Sequence, residues 1–128
     1  MSRPLVLVVD DDPDILDAIC DILDAEGYRV CRARHGQEAL AQVESERPDI
    51  ILLDLMMPVM DGVAFSQALR KRPAVSDVPI VVISADGNPQ RAAAVGAAGY
   101  LAKPFDIDAL LTQVAWITRA PGEPLPRV

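Results

Sequence analysis

Aromatic side chains are scarce: one Trp, two Tyr and two Phe make up 4 % of 128 residues. Any core must therefore be aliphatic, and the 51 % apolar content supplies one. That content also excludes a disordered acidic chain. The single His35 cannot build a histidine-based metal centre. It follows an expected strand and reads as a solvated loop residue. Cys20 and Cys31 are the only cysteines and have no metal or redox spacing, as expected of reduced structural thiols in a cytoplasmic protein. Long apolar runs are missing too. Leu5–Val9, Ile50–Leu53 and residues 81–83 fall far short of the roughly 20 residues a membrane span needs. Met1-Ser2-Arg3-Pro4 leads straight into a strand, with no apolar leader and small-residue cleavage site. Nor is there a basic excess: 12 Lys and Arg against 19 Asp and Glu give −7. Such a balance argues against direct nucleic-acid binding.

What is present is one domain's length of alternating patterns. Leu5–Val9 is a continuous aliphatic run, as in a strand covered on both faces. Asp12 and Pro13 then form a helix start, Ile15, Leu16, Ile19, Ile22 and Leu23 recur at helical spacing, and Gly27 ends the helix. Residues 28–34 read as a strand whose Arg29, Arg32 and Arg34 would guard a sheet edge. Ala39, Leu40 and Val43 mark a second helix, stopped near Pro48, before the strand Ile50–Leu53. Val63, Phe65 and Leu69 mark a third helix, followed by a strand over residues 79–83. Residues 89–95 give a short fourth helix, 100–102 a fifth strand, and Ile107, Leu110, Leu111, Val114 and Ile117 the stripe of a last helix. The domain is expected to occupy residues 1–119. Residues 120–128, with Pro121, Gly122, Pro124 and Pro126, read as a tail or linker.

Five strand–helix units imply an α/β protein, a parallel sheet with helices on both faces. Ligands gather beyond the carboxyl ends of such strands. Asp10, Asp11 and Asp12 follow the first strand, Asp54 the third, Ser84 the fourth and Lys103 the fifth. Singly, each is an ordinary cap, turn or surface residue. Together they converge on one sheet edge. Carboxylates about 4 Å apart repel by roughly 4 kcal/mol per pair at an effective dielectric of 20, which a cation relieves. Oxygen donors favour a hard ion, and Mg²⁺ (or Mn²⁺) suits a site that also accepts a phosphate. With the Lys103 ammonium and the Ser84 hydroxyl, the set forms a phosphoryl receptor in which a carboxylate can be the nucleophile.

The motifs VVDDDPDIL, PDIILLDLMMPVMDG, PIVVISA and GYLAKPF resemble, in order, those of the receiver domain of two-component response regulators. The resemblance covers residues 4 to about 118. It implies a three-layer, doubly wound (βα)5 flavodoxin-like fold with strand order 2-1-3-4-5. It also implies a phosphoacceptor at Asp54, and a metal held by Asp10, Asp11, Asp54 and the Met56 main-chain carbonyl. Lys103 would contact the phosphoryl oxygens, Ser84 and Tyr100 would act as switch residues, and the bond before Pro104 would be cis. Met56 and Asp86 fall where the family tunes dephosphorylation. The implied donor is a sensor histidine kinase or phosphotransfer protein. The implied output is a downstream protein, or a second copy in a phosphorylation-dependent homodimer, with no output domain in the sequence shown. Such a domain is not an enzyme acting on a separate substrate.

From Ser84 to Lys103 is 19 positions, shorter than the family's usual spacing by about one helical turn. A shortened fourth helix is therefore expected. Three other readings remain open. One is a degenerate receiver that binds partners without phosphorylation. Another is a haloacid-dehalogenase-like phosphatase with Asp10 as nucleophile, for which the chain is short and Asp54 unexplained. A flavodoxin-like cofactor carrier is opposed by the acidic first loop, which would repel a phosphate.

Overall fold

The computed structural model describes residues 3–55, 61–85 and 89–119. Five strands alternate with five helices: β1 (Leu5–Val9), α1 (Pro13–Ala25), β2 (Arg29–Ala33), α2 (Gly36–Ser45), β3 (Ile50–Leu53), α3 (Gly62–Arg70), β4 (Ile80–Ser84), α4 (Pro89–Ala94), β5 (Gly99–Ala102) and α5 (Ile107–Thr118). The sheet is wholly parallel in the order β2-β1-β3-β4-β5. It is the doubly wound fold expected, and α4 has only six residues.

Alternation along the strands builds two cores. Leu7, Val9, Ile51, Leu53 and Val82 face α2, α3 and α4, where they meet Ala39, Val43, Phe65, Leu69 and Ala92. Val6, Val8, Ile50, Leu52, Val81 and Ile83 face α1 and α5, where they meet Leu16, Ile19, Leu23, Leu110 and Val114. The winding follows from handedness. The chain steps from β1 outward to β2, then returns past β1 to β3 and onward. Right-handed crossovers then put α1 on one face and α2–α4 on the other. The direction reverses between β1 and β3, and the crevice at such a reversal is where ligands bind in these sheets.

Local signals set the boundaries. Asp12 caps α1, accepting from the N–H of Asp14 at 2.9 Å. Asp61 caps α3 through the Ala64 N–H at 2.8 Å, and Asp106 caps α5 through the Asp108 N–H at 3.0 Å. Gly27 leaves α1 at φ +92°, a conformation that favours glycine. His35 is no solvated loop residue: its Nδ1 accepts from the Glu38 N–H at 3.3 Å and caps α2. The arginines of β2 guard the edge as expected. Arg29 pairs with Glu46, Arg32 with Asp17 and Arg34 with Glu38.

Both cysteines are free. Burial pushes the Cys31 thiol from 9.0 up to about 11, and also raises Cys20, so both stay protonated at neutral pH. No helix among the described residues is long and apolar enough to cross a membrane.

The core and the surface should respond very differently to truncation. Phe65 is fully buried, and Phe65→Ala should cost about 3–5 kcal/mol. Trp116 is 44 % exposed, with the Arg119 guanidinium 4.1 Å from its ring centroid. Trp116→Ala should cost about 1 kcal/mol or less. Urea unfolding of the two variants checks the contrast.

Candidate functional site

The sheet assembles the site from strand ends. Val9 lies in register with Leu53, so the residues that follow, Asp10 and Asp54, emerge side by side at the crevice. Asp10 N–H donates to Ala33 O at 3.1 Å and Asp54 N–H to Val9 O at 2.9 Å, which continues the ladder to the two carboxylates. On the far side, Ser84 lies in register with Ala102, and Lys103 N–H donates to Ser84 O at 2.9 Å. Four consecutive strands in space therefore deliver Lys103, Ser84, Asp54 and Asp10 to one edge.

Asp10 and Asp54 are buried, at 2 % and 5 % exposure, whereas Asp11 is exposed. Carboxylate oxygens of all three lie within 4.8 Å of one another. Lys103 Nζ donates to Asp10 Oδ2 at 2.8 Å and reaches Asp54 Oδ2 at 3.5 Å. The other Asp10 oxygen, Oδ1, accepts from the Asp12 N–H at 2.9 Å. Burial of Lys103 acts to lower its pKa. The hydrogen bond to Asp10 and the charges of Asp54 and Asp10 outweigh that and hold it above the ordinary lysine value. The ammonium therefore stays charged at neutral pH.

The donor set fits a divalent cation. Three formal negative charges face one ammonium, leaving two that a divalent ion would neutralise. All the carboxylate donors are oxygens, as Mg²⁺ or Mn²⁺ requires. Asp10, Asp11 and Asp54 would hold it. The Met56 carbonyl and Asp86, also expected near this edge, lie outside the described residues.

Ser84 is fully buried, and Tyr100 packs against the core on the α2–α4 face. The Tyr100 hydroxyl is buried without a hydrogen-bond partner among the described residues. Leaving such a group unsatisfied costs about 1–3 kcal/mol. Tyr100 O accepts from Gln113 Nε2 of α5 at 3.1 Å. The Lys103–Pro104 bond is cis. Beyond it, an apolar hollow of about 450 Å³ is lined by Ile15, Ala18, Ala85, Lys103, Pro104 and Phe105.

Two contributors escaped the sequence reading. The Asp12 N–H fixes the Asp10 carboxylate, where the sequence pointed only to a helix cap. Gly62 abuts the Asp54 main chain, with only the Asp61-Gly62 pair before the third helix as a hint.

The sequence matches the profile of the response regulator receiver domain over residues 6–115. It is 42 % identical over 125 residues to the transcriptional regulatory protein PrrA of Mycobacterium leprae, covering 95 % of this chain and 53 % of that protein. It is 37 % identical over 119 residues to the DNA-binding dual master transcriptional regulator RpaA of Synechocystis sp., covering 91 % and 49 %. The chain thus spans about half the length of the curated relatives it matches. Chemotaxis protein CheY4 of Vibrio cholerae superposes with a TM-score of 0.85 at 35 % identity, over 91 % of this chain and 99 % of that one. The receiver domain of sensor histidine kinase PA1611 from Pseudomonas aeruginosa, with a magnesium ion coordinated in its active-site cleft, gives a TM-score of 0.83 at 32 % identity, over 91 % and 98 %.

The acidic cluster generates a prediction. Mg²⁺ at about 100 times its Kd should stabilise the protein by about 2.7 kcal/mol. Asp11 is exposed, so Asp11→Asn should fold normally and lose most of that gain. Thermal unfolding across a Mg²⁺ series measures both.

Proposed function

The chain belongs to the response regulator receiver family, and on that premise we propose that it is a phosphoryl-accepting switch with Asp54 as the acceptor. The carrying observation is the buried Asp54 carboxylate, set within 4.8 Å of two further carboxylates and 3.5 Å from the Lys103 ammonium. The donor is a phosphohistidine on a sensor kinase or phosphotransfer protein. An Asp54 oxygen attacks phosphorus, the O–P bond forms, and the P–N bond breaks with its electron pair leaving on the imidazole nitrogen. A bound Mg²⁺ or Mn²⁺ supplies positive charge that offsets the phosphoryl oxygens. Lys103, already beside both carboxylates, turns its ammonium to the arriving group, and the Ser84 hydroxyl donates to another oxygen.

The phosphoryl group, carrying about −1.5 to −2 charge, replaces the single negative charge of the Asp54 carboxylate and brings three acceptor oxygens. Two or three charge-assisted hydrogen bonds at about 1.5–3 kcal/mol each match the roughly 5.5 kcal/mol that moves a two-state equilibrium from 1:99 to 99:1. Ser84 and Tyr100 lie on neighbouring strands, and movement of Ser84 toward the phosphoryl group opens space that Tyr100 reads out. The output is a changed surface for a downstream protein or for a second copy of this chain. With −7 net charge, the domain itself grips no nucleic acid. It acts in the cytoplasm, as a switch rather than an enzyme with a separate substrate.

The phosphatase reading centred on Asp10 has less support. Asp10 Oδ1 is tied to the Asp12 N–H and Oδ2 to Lys103, so neither oxygen is well placed to attack. The apolar hollow beside Lys103 supports a protein donor. It would seat a helix of the donor against Lys103, whose ammonium lies 3.5 Å from the acceptor carboxylate.

Intact mass after incubation with Mg²⁺ and acetyl phosphate tests the acceptor. Wild type should gain one phosphoryl group and Asp54→Asn none; labelling of Asp54→Asn would sink the assignment. The hollow makes a separate prediction. Phe105→Ala should slow transfer from a phosphohistidine protein about tenfold or more, while acetyl phosphate labels it at the wild-type rate. Equal slowing with both donors would reject the seat.

A further inference from the structure

The chemistry proposed for Asp54 makes no use of Gly62, yet this glycine is in direct contact with the acceptor's main chain. Gly62 is the buried first residue of α3, and its N–H donates to Leu55 O at 3.1 Å. A β-carbon there would lie 2.7 Å from Leu55 Cδ2, 2.8 Å from Asp54 O and 2.8 Å from Leu55 Cα. The Leu55 methyl is the tip of a side chain. The other two atoms belong to the main chain linking Asp54 to Leu55. Crowding is not the constraint at Gly27 or Gly96, where nothing lies within 4 Å of a β-carbon and a positive φ favours glycine, and at Gly99 the nearest atom is the side-chain tip of Gln113.

Asp54 is thus held from both sides. Its N–H is fixed to Val9 O at 2.9 Å, and its carbonyl side rests on the start of α3. The helix cannot retreat, because Phe65 and Leu69 are fully buried in the core beneath it. A side chain at residue 62 must therefore displace the Asp54–Leu55 peptide instead. Ordinary contact begins near 3.4 Å, so the displacement is about half an ångström, the tolerance within which reactive groups must be held.

We propose that Gly62 is a positioning residue for the phosphoacceptor: its missing side chain lets α3 bear on the Asp54–Leu55 peptide and sets where the Asp54 carboxylate stands against Asp10, Asp11 and Lys103. The inference rests on the reading of Asp54 as acceptor. It adds that the acceptor's placement is controlled from the helix after the loop as well as from the sheet.

The test follows phosphorylation by acetyl phosphate at saturating Mg²⁺, by intact mass, together with thermal unfolding of each variant. Gly62→Ala should fold and label about tenfold more slowly than wild type. Adding Leu55→Ala relieves only the methyl contact, so the double variant should stay slow. Leu23→Ala empties a buried site near the C-terminal end of α1, away from the acceptor; it should lose stability yet label at the wild-type rate. If wild type labels and Gly62→Ala keeps pace, or if Leu55→Ala restores the rate, the inference falls and the acceptor reading stands. A Gly62→Ala chain that no longer folds assigns the glycine to the fold alone and also overturns it. If wild type takes no phosphoryl group from acetyl phosphate or from a phosphohistidine protein, the acceptor reading falls and takes the inference with it.

Discussion

One ammonium shared by two buried carboxylates ties the sheet edge together. Lys103 is 93 residues from Asp10 and 49 from Asp54, yet it reaches both. Only the parallel order makes this possible, because it places the ends of β1, β3, β4 and β5 in succession along one edge. The pairing also leaves a charge imbalance. Asp10, Asp11 and Asp54 outnumber Lys103, and burial of two of the acids makes the excess costly. Much of the proposed chemistry follows from that imbalance, since a cation and a group carrying exchangeable charge are what such an edge attracts.

The same arrangement gives the proposed switch its route. Ser84 and Tyr100 lie on the two strands farthest from β2, facing the layer that contains α4. With six residues, α4 has little stability of its own and depends on the packing of Ala92 and Val95. Segments that move in regulation are drawn from the low-stability end of a fold. The buried Tyr100 hydroxyl, without a partner among the described residues, adds a second weak point beside it. On the proposed reading, a phosphoryl group at Asp54 would meet a rigid edge on the β1 side and a compliant one on the α4 side.

Much of this was legible in the sequence, for definite reasons. Leu5–Val9 and Ile50–Leu53 are unbroken apolar runs because both faces are covered, and the structure begins and ends those strands at the same residues. The fourth strand runs one residue later than residues 79–83. Pro79 has no N–H to give, and its carbonyl accepts from Ile51 ahead of the strand. The second strand is trimmed to Arg29–Ala33. Tyr28 N–H turns back to Leu23 O at the end of α1, and Arg34 N–H is taken by Glu38. His35 was misread because capping by an imidazole nitrogen is uncommon. The convergence of Asp10, Asp54, Ser84 and Lys103 could be read from strand ends alone, but the Lys103 preference for Asp10 could not. That preference depends on distances of 2.8 and 3.5 Å that only the packed edge defines. The close approach of Gly62 is tertiary in the same way.

The central claim is that this edge is built to hold a phosphoryl group on Asp54, with Ser84 and Lys103 as its donors. A crystal structure grown with Mg²⁺ and beryllofluoride tests it most directly. The account predicts the analogue on an Asp54 carboxylate oxygen, the cation against Asp10, Asp11 and Asp54, and Lys103 Nζ and Ser84 Oγ within hydrogen-bonding distance of the fluorines. An analogue seated on Asp10, or a site that takes up neither ion while the fold stays intact, would contradict it.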